Sequence, residues 1–208
     1  RMLGTTWIST DSISYFKKIA SLLKNEHDIN KPENKSFLLL LFYDVFQDSP
    51  VKIGFKNAIE GINEMLNYKQ LKEEILNYLD VRINLCECIE KDAKLGFQFP
   101  LQLHGRFTRS QILVALQLST EKNKSSNREG VAVNESLNTE ALFVTLDKSE
   151  GDYSPTTMYE DYAITDRIFH WQSQNSAGPN TPKGKSYIQH IQNSKKILLF
   201  IREKNADE

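Results

Sequence analysis

The spacing of apolar residues changes character once along this chain, and that change constrains the fold more than any other feature. From Ile13 to Leu79 apolar residues return every three or four positions, the period of one helix face. Beyond Leu95 they come in short runs bounded by polar and turn residues, the pattern of short strands. In the first part, Thr10 or Asp11 can cap a helix carrying Ile13, Phe16, Ala20 and Leu23 on one face, and His27 to Pro32 ends it. Ser36–Phe46 is apolar nearly all round, which predicts a helix buried on most sides at the centre of this part. After Pro50, the sets Phe55, Ile59, Ile62, Leu66 and Leu71, Ile75, Tyr78, Leu79 predict two more helices. Residues 1–95 are therefore expected to form a helical, bundle-like domain.

In the second part, Leu101, Leu103 and Gly105 alternate with Gln102, His104 and Arg106, which predicts a strand. Thr108 with Gln111 is a capping-box pattern opening a short helix through Ile112, Leu113 and Leu116. Glu121–Arg128 reads as a polar loop. Gly130–Val133, Ala141–Leu146 and Ile197–Ile201 predict buried strands, with one or two more in Tyr162–Trp171. Were that last stretch extended throughout, Phe169 and Trp171 would share a face with Arg167, and His170 and Gln172 would point the other way. The expected fold class is α+β, with residues 96–208 forming a small, partly open β-barrel with short helices.

Charge narrows the partners. The chain carries 26 basic and 27 acidic residues, 39% hydrophobic and 25% charged, the composition of a folded globular protein. The balance is 13 basic to 14 acidic up to residue 97 and 13 to 13 after it, so any nucleic-acid contact must come from a local patch and be salt-sensitive. The longest apolar runs, Phe37–Tyr43 and Ile197–Ile201, fall far short of the roughly 20 residues of a membrane span. The start, Arg1 to Trp7, lacks the pattern of a secretory signal and suggests a piece cut from something longer. With only Cys86 and Cys88, a reduced, cytoplasmic chain is expected.

Three stretches imitate chemical motifs without meeting their requirements. Gly178 to Ser186 looks like a phosphate-binding loop, but five residues separate Gly178 from Gly184 where four are required, and Pro179 and Pro182 remove backbone donors. Thr181 capping a helix with Pro182 at its first position fits better. Cys86 and Cys88 have no second pair, and His27, His104, His170 and His190 are dispersed, so no metal is expected. Asp161, Asp166 and His170 could be drawn as a hydrolytic set, yet without a nucleophile motif they specify no catalysis, and no catalytic residue is assigned.

Residues 147–175 stand apart, because Tyr153, Tyr159, Tyr162, Phe169 and Trp171 are interleaved with hydroxyls and amides. A base lifted out of a duplex needs this chemistry: ring faces to stack on and short polar groups to read its edge. The same aromatics would also serve as the core of a small β domain.

The segments Leu103–Ile112, Arg128–Val131, Phe143–Glu150, Tyr153–Ile164, Phe169–Gln174 and Ile197–Glu203 resemble, in order, a bacterial C-terminal domain of unknown function. That domain ends ATP-dependent type IV restriction enzymes, after a phospholipase-D-type nuclease and a superfamily-two helicase. The resemblance covers about residues 98–204 and implies an SRA/PUA-like reader that flips 5-methylcytosine or 5-hydroxymethylcytosine out of duplex DNA. It implies a base pocket of Tyr153, Tyr159, Asp161, Tyr162 and Trp171, with DNA contacts from Lys148, Ser149, His170, Gln172, Ser173, Gln174, Lys183 and Lys185. ATP and Mg would belong to the parent motor and no cofactor to this chain; the helicase and nuclease of the same parent would be its partners, with no membrane. Residues 1–95 would then be a coupler between motor and reader. Members of that family commonly continue with more β structure past Ile197–Glu203, so the chain is expected to be trimmed there.

Overall fold

A computed structural model describes residues 7–147 and 161–204, and its contacts divide the chain into two compact units, Arg1–Ser126 and Asn127–Glu208.

The first unit is helical. Helix α1, Ile13–Leu23, buries Tyr15, Phe16, Ile19, Leu22 and Leu23 along one stripe. Its cap is Ser12, whose hydroxyl accepts from the Tyr15 N–H, rather than the expected Thr10 or Asp11. Asp11 is instead held in an antiparallel bridge with Arg106, so the chain first turns into the helix at Ser12. Helix α2, Lys35–Phe46, buries Leu38, Leu40, Leu41, Phe42, Tyr43 and Asp44 and packs against α1 and against the later helices Ala58–Leu66 and Arg109–Ala115. Its all-round apolar sequence is thus explained by its central place. Gln47, at φ 60°, ends it in the left-handed conformation. Helices α3, Ala58–Leu66, and α4, Lys69–Leu85, follow; Asn57 caps α3 by accepting from the Glu60 N–H.

Helix α5, Arg109–Ala115, carries the expected capping box: Thr108 accepts from the Gln111 N–H, and the Gln111 side chain accepts from the Thr108 N–H. It packs on α2, with Gln111 to Ala115 all buried. The strand expected over Leu101–Arg106 is absent. Two isolated bridges, Leu103 to Lys91 and Arg106 to Asp11, replace it, because His104 adopts φ 71° between them and breaks the extended run.

By contacts the compact units divide at 126/127, whereas the sequence reading divides the chain at 95/96. The polar loop after α5 is also tied into the helical unit. Tyr43 donates to the carbonyls of Thr120 and Asn123, Ser49 donates to that of Lys122, and the Ala58 N–H donates to the Glu121 carboxylate.

The described residues of the second unit form a small open sheet, a two-stranded ribbon and one helix. Strands β1, Val131–Asn134, and β2, Thr139–Thr145, form an antiparallel hairpin; β5, Lys196–Arg202, pairs with β2 in parallel, giving the order β1-β2-β5. Strand β2 is central and buried on both faces, which accounts for its unbroken apolar run from Ala141 to Val144. A separate two-stranded ribbon joins β3, Tyr162–Ala163, to β4, Phe169–His170. Helix α6, Pro182–Ile188, lies between the ribbon and β5 in sequence. The chain is therefore mixed α and β as expected, but among the described residues no barrel closes: β5 joins β2 in parallel and leaves an open three-stranded sheet.

Candidate nucleic-acid interface

The ribbon is a tight hairpin, so Tyr162–Trp171 is not extended throughout and Arg167 does not share a strand face with Phe169. The Ile164 N–H donates to the Ile168 carbonyl, and the Thr165 hydroxyl accepts from the N–H groups of Arg167 and Ile168, which fixes the turn. Register places Tyr162 opposite His170, and their rings stack at 4.8 Å between centroids, 16° from parallel. Tyr162 remains 51% exposed, so this pair presents an aromatic surface to solvent. Asp161 closes the hairpin: its Oδ1 accepts from the Gln172 N–H at 2.8 Å.

Beyond the ribbon, Trp171 meets the Tyr187 ring edge-on, with centroids 5.0 Å apart at 86°. The following segment folds back on α6. Lys183 donates to the Gln174 side-chain carbonyl, the Ser173 hydroxyl to the Ala177 carbonyl, and the Ala177 N–H to the Gln174 carbonyl. The approach is so close that a Cβ on Gly184 would lie 2.0 Å from the Gly178 carbonyl oxygen, which only glycine avoids. Thr181 caps α6, accepting from the Gly184 N–H, with Pro182 at the first position, as expected. Lys185 is exposed one turn along.

Just past α6 the chain is tied to the sheet. Glu140, on β2, is buried and accepts from Lys195 Nζ at 2.7 Å through Oε1. The Lys195 N–H in turn donates to the carbonyl of His190, just past α6. The second carboxylate oxygen of Glu140, Oε2, is buried with no hydrogen-bond partner among the described residues, and so is the Tyr187 hydroxyl. Burial, followed by the Glu140 charge, pushes the Tyr187 hydroxyl up to about 12, so it stays protonated and able to donate.

Of the residues singled out from sequence, the structure thus brings Tyr162 and His170 together, ties Asp161 to Gln172 and Gln174 to Lys183, and sets Trp171 against Tyr187. Lys148, Ser149, Tyr153 and Tyr159 lie outside the described residues. Glu140 and Tyr187 escaped sequence reasoning; the only signal for Glu140 was an acid at the edge of a strand expected to begin at Ala141.

The set Asp161, Asp166 and His170 has separate employments. Asp166 sits in the hairpin turn in an exposed pair with Arg167, His170 stacks on Tyr162, and Asp161 closes the ribbon. Among the described residues no group of three or more His, Cys, Asp or Glu is placed to hold a metal ion, and no helix is long and apolar enough to cross a membrane. In the helical unit, Cys86 is pushed up to about 11 and Cys88 upward, in both by burial and then by Asp11, which accepts from Cys88 Sγ at 3.1 Å. Both thiols are protonated at neutral pH and are weak nucleophiles there. For Asp11, burial acts upward, but hydrogen bonds from Cys88 and Cys86, the Glu87 backbone and nearby Arg106 together hold its carboxyl below the usual range.

A family model described as Domain of unknown function (DUF3427) matches residues 101–208, just over half of the chain. The chain belongs to the DUF3427 family. No curated protein and no solved structure matches it. The DUF3427 sequence begins inside the helical unit: its first segment supplies the Arg106 bridge, the capping box and α5, and only from Asn127 onward does it build the sheet and the ribbon.

Proposed function

We propose that this chain is the target-recognition part of a type IV restriction enzyme, whose DUF3427 portion reads 5-methylcytosine or 5-hydroxymethylcytosine in duplex DNA by base flipping, as SRA/PUA-like readers do. The observation that carries this reading is the exposed Tyr162–His170 stack beside Trp171, with Lys183 and Lys185 on the adjoining helix. Extruding a base costs a few kcal/mol. Stacking on an aromatic returns about 1–3 kcal/mol, and the lysines suit phosphates. A pocket fitted to the 5-methyl group gains about 1–3 kcal/mol over plain cytosine. The helical unit, into which the DUF3427 sequence is anchored by α5, would pass recognition to a helicase and nuclease in the same parent chain.

A second reading makes the unit a docking domain that binds the helicase or nuclease and reads no base. The balanced charge after residue 97, and the exposed Ile164, Ile168, Ile188 and Ile191, favour it.

Substitution at the ribbon separates the two. Tyr162→Ala and Trp171→Ala are expected to weaken binding of a methylated duplex by about tenfold or more, corresponding to the loss of one stacking contact. A melting curve run beside each titration identifies loss of fold. Folded variants with wild-type affinity would overturn the reader and leave the docking domain.

A further inference from the structure

We propose that Glu140 and Tyr187 form the polar end of the base site and select an amino-bearing pyrimidine; this deepens the reader reading above and rests on it. Six buried side-chain polar atoms among the described residues lack a hydrogen-bond partner, each with a desolvation cost that a partner would relieve, and four of them are scattered through the helical unit. The other two, Glu140 Oε2 and the Tyr187 hydroxyl, share the second unit, on elements joined by direct contacts. Lys195 bonds Glu140 through its side chain and the His190 carbonyl, one turn past Tyr187, through its backbone. Tyr187 in turn holds the edge of Trp171, a ring that the sequence singled out for stacking. Glu140 Oε1 already accepts from Lys195, while Oε2 accepts from no described group.

The two atoms differ in what they can recognise. An ionised carboxylate oxygen only accepts, whereas the protonated Tyr187 hydroxyl donates. Cytosine and its 5-substituted forms present an amino donor at C4 beside acceptors at N3 and O2, so the amino group would bond Glu140 Oε2 and the hydroxyl would bond N3 or O2. Thymine has the same methyl group but a carbonyl at C4, which would face the carboxylate oxygen and be rejected. The methyl is then sensed elsewhere in the pocket, and the C4 substituent by Glu140.

The test uses the whole 208-residue chain and duplexes identical except for one base opposite guanine: 5-methylcytosine, thymine or cytosine. Thymine opposite guanine is already mispaired and easily extruded, so a preference against it reports the edge contacts. The wild type is expected to favour 5-methylcytosine over thymine by tenfold or more. Tyr187→Phe should weaken 5-methylcytosine binding by about tenfold and leave the melting temperature unchanged or higher, because it removes an unpaired buried hydroxyl. The double variant Glu140→Gln/Lys195→Met, which removes both charges together, should shrink the preference over thymine. A lower melting temperature for Tyr187→Phe would mean that the hydroxyl has a structural partner and would overturn the assignment. So would folded variants that keep the wild-type ratio. If the wild type does not separate 5-methylcytosine from cytosine, the reader reading fails, and this assignment with it. If it does separate them while both variants behave as wild type, only this assignment fails.

Discussion

Replacing Asp44 by Ala is expected to cost the helical unit about 3–5 kcal/mol, the largest single-site loss in that half of the chain. Asp44 is fully buried, and one of its oxygens, Oδ2, accepts from three donors: Trp7 Nε1 at 2.8 Å, the Tyr15 hydroxyl at 2.6 Å and Gln111 Nε2 at 3.1 Å. Truncation would strand all three in the core, each at a cost of about 1–3 kcal/mol before relaxation. The effect reaches the DUF3427 sequence through one amide. While Gln111 Nε2 holds Asp44, its Oε1 accepts from the Thr108 N–H and the Thr10 hydroxyl, so this side chain both caps α5 and fastens it to α2 and to the segment leading into α1. Urea unfolding of Asp44→Ala should give the stability loss, and hydrogen exchange should rise first in residues 108–116.

The same carboxyl sets a pH dependence. Burial, opposed by the hydrogen bonds from Tyr15, Trp7 and Gln111, pushes Asp44 up to about 6 from an ordinary 3.8. Near pH 5 the folded chain therefore holds a proton that the unfolded chain has released. Stability falls as pH rises through this window, by about 3 kcal/mol in all, and levels off above pH 6. Asp44→Asn, which cannot ionise, should flatten that fall in melts taken from pH 4 to pH 7.

Lys195→Ala is expected to cost the second unit about 3–5 kcal/mol, because it leaves the Glu140 carboxylate uncompensated on the central strand. The pair is almost closed to water, with side-chain exposures of 9% for Lys195 and 4% for Glu140, so solvent cannot replace the missing ammonium. Replacing both residues by apolar ones, as in Glu140→Leu/Lys195→Met, should recover most of the loss or exceed the wild type, since neither charge then has to be desolvated. A double-mutant cycle read by denaturant midpoints gives both values. A Lys195→Ala chain as stable as the wild type would contradict this account.

How far the sequence could be read follows from which interactions are local. Helices α1 to α4 were legible because a helix announces itself in its own spacing, and the caps at Thr108 and Thr181 because each needs only its next three residues. The bridge of Arg106 to Asp11 is decided across the length of the helical unit, and the positive φ of His104 has no sequence signature. An alternating stretch was therefore read as a strand. The parallel pairing of β2 with β5 was equally invisible, and with it the openness of the sheet. At the candidate site, the aromatic and amide composition of the ribbon pointed to Tyr162, His170 and Trp171. Tyr187 stayed hidden because its contact with Trp171 depends on the segment before Gly178 folding back against Gly184.

The most direct measurement is fluorescence anisotropy of the 208-residue chain with duplexes identical but for one cytosine or 5-methylcytosine, at low and moderate salt. A base reader should favour the methylated duplex by about tenfold to a hundredfold, and should keep that ratio as salt lowers both affinities. Equal affinity for the two duplexes, from a chain shown to be folded, would contradict it.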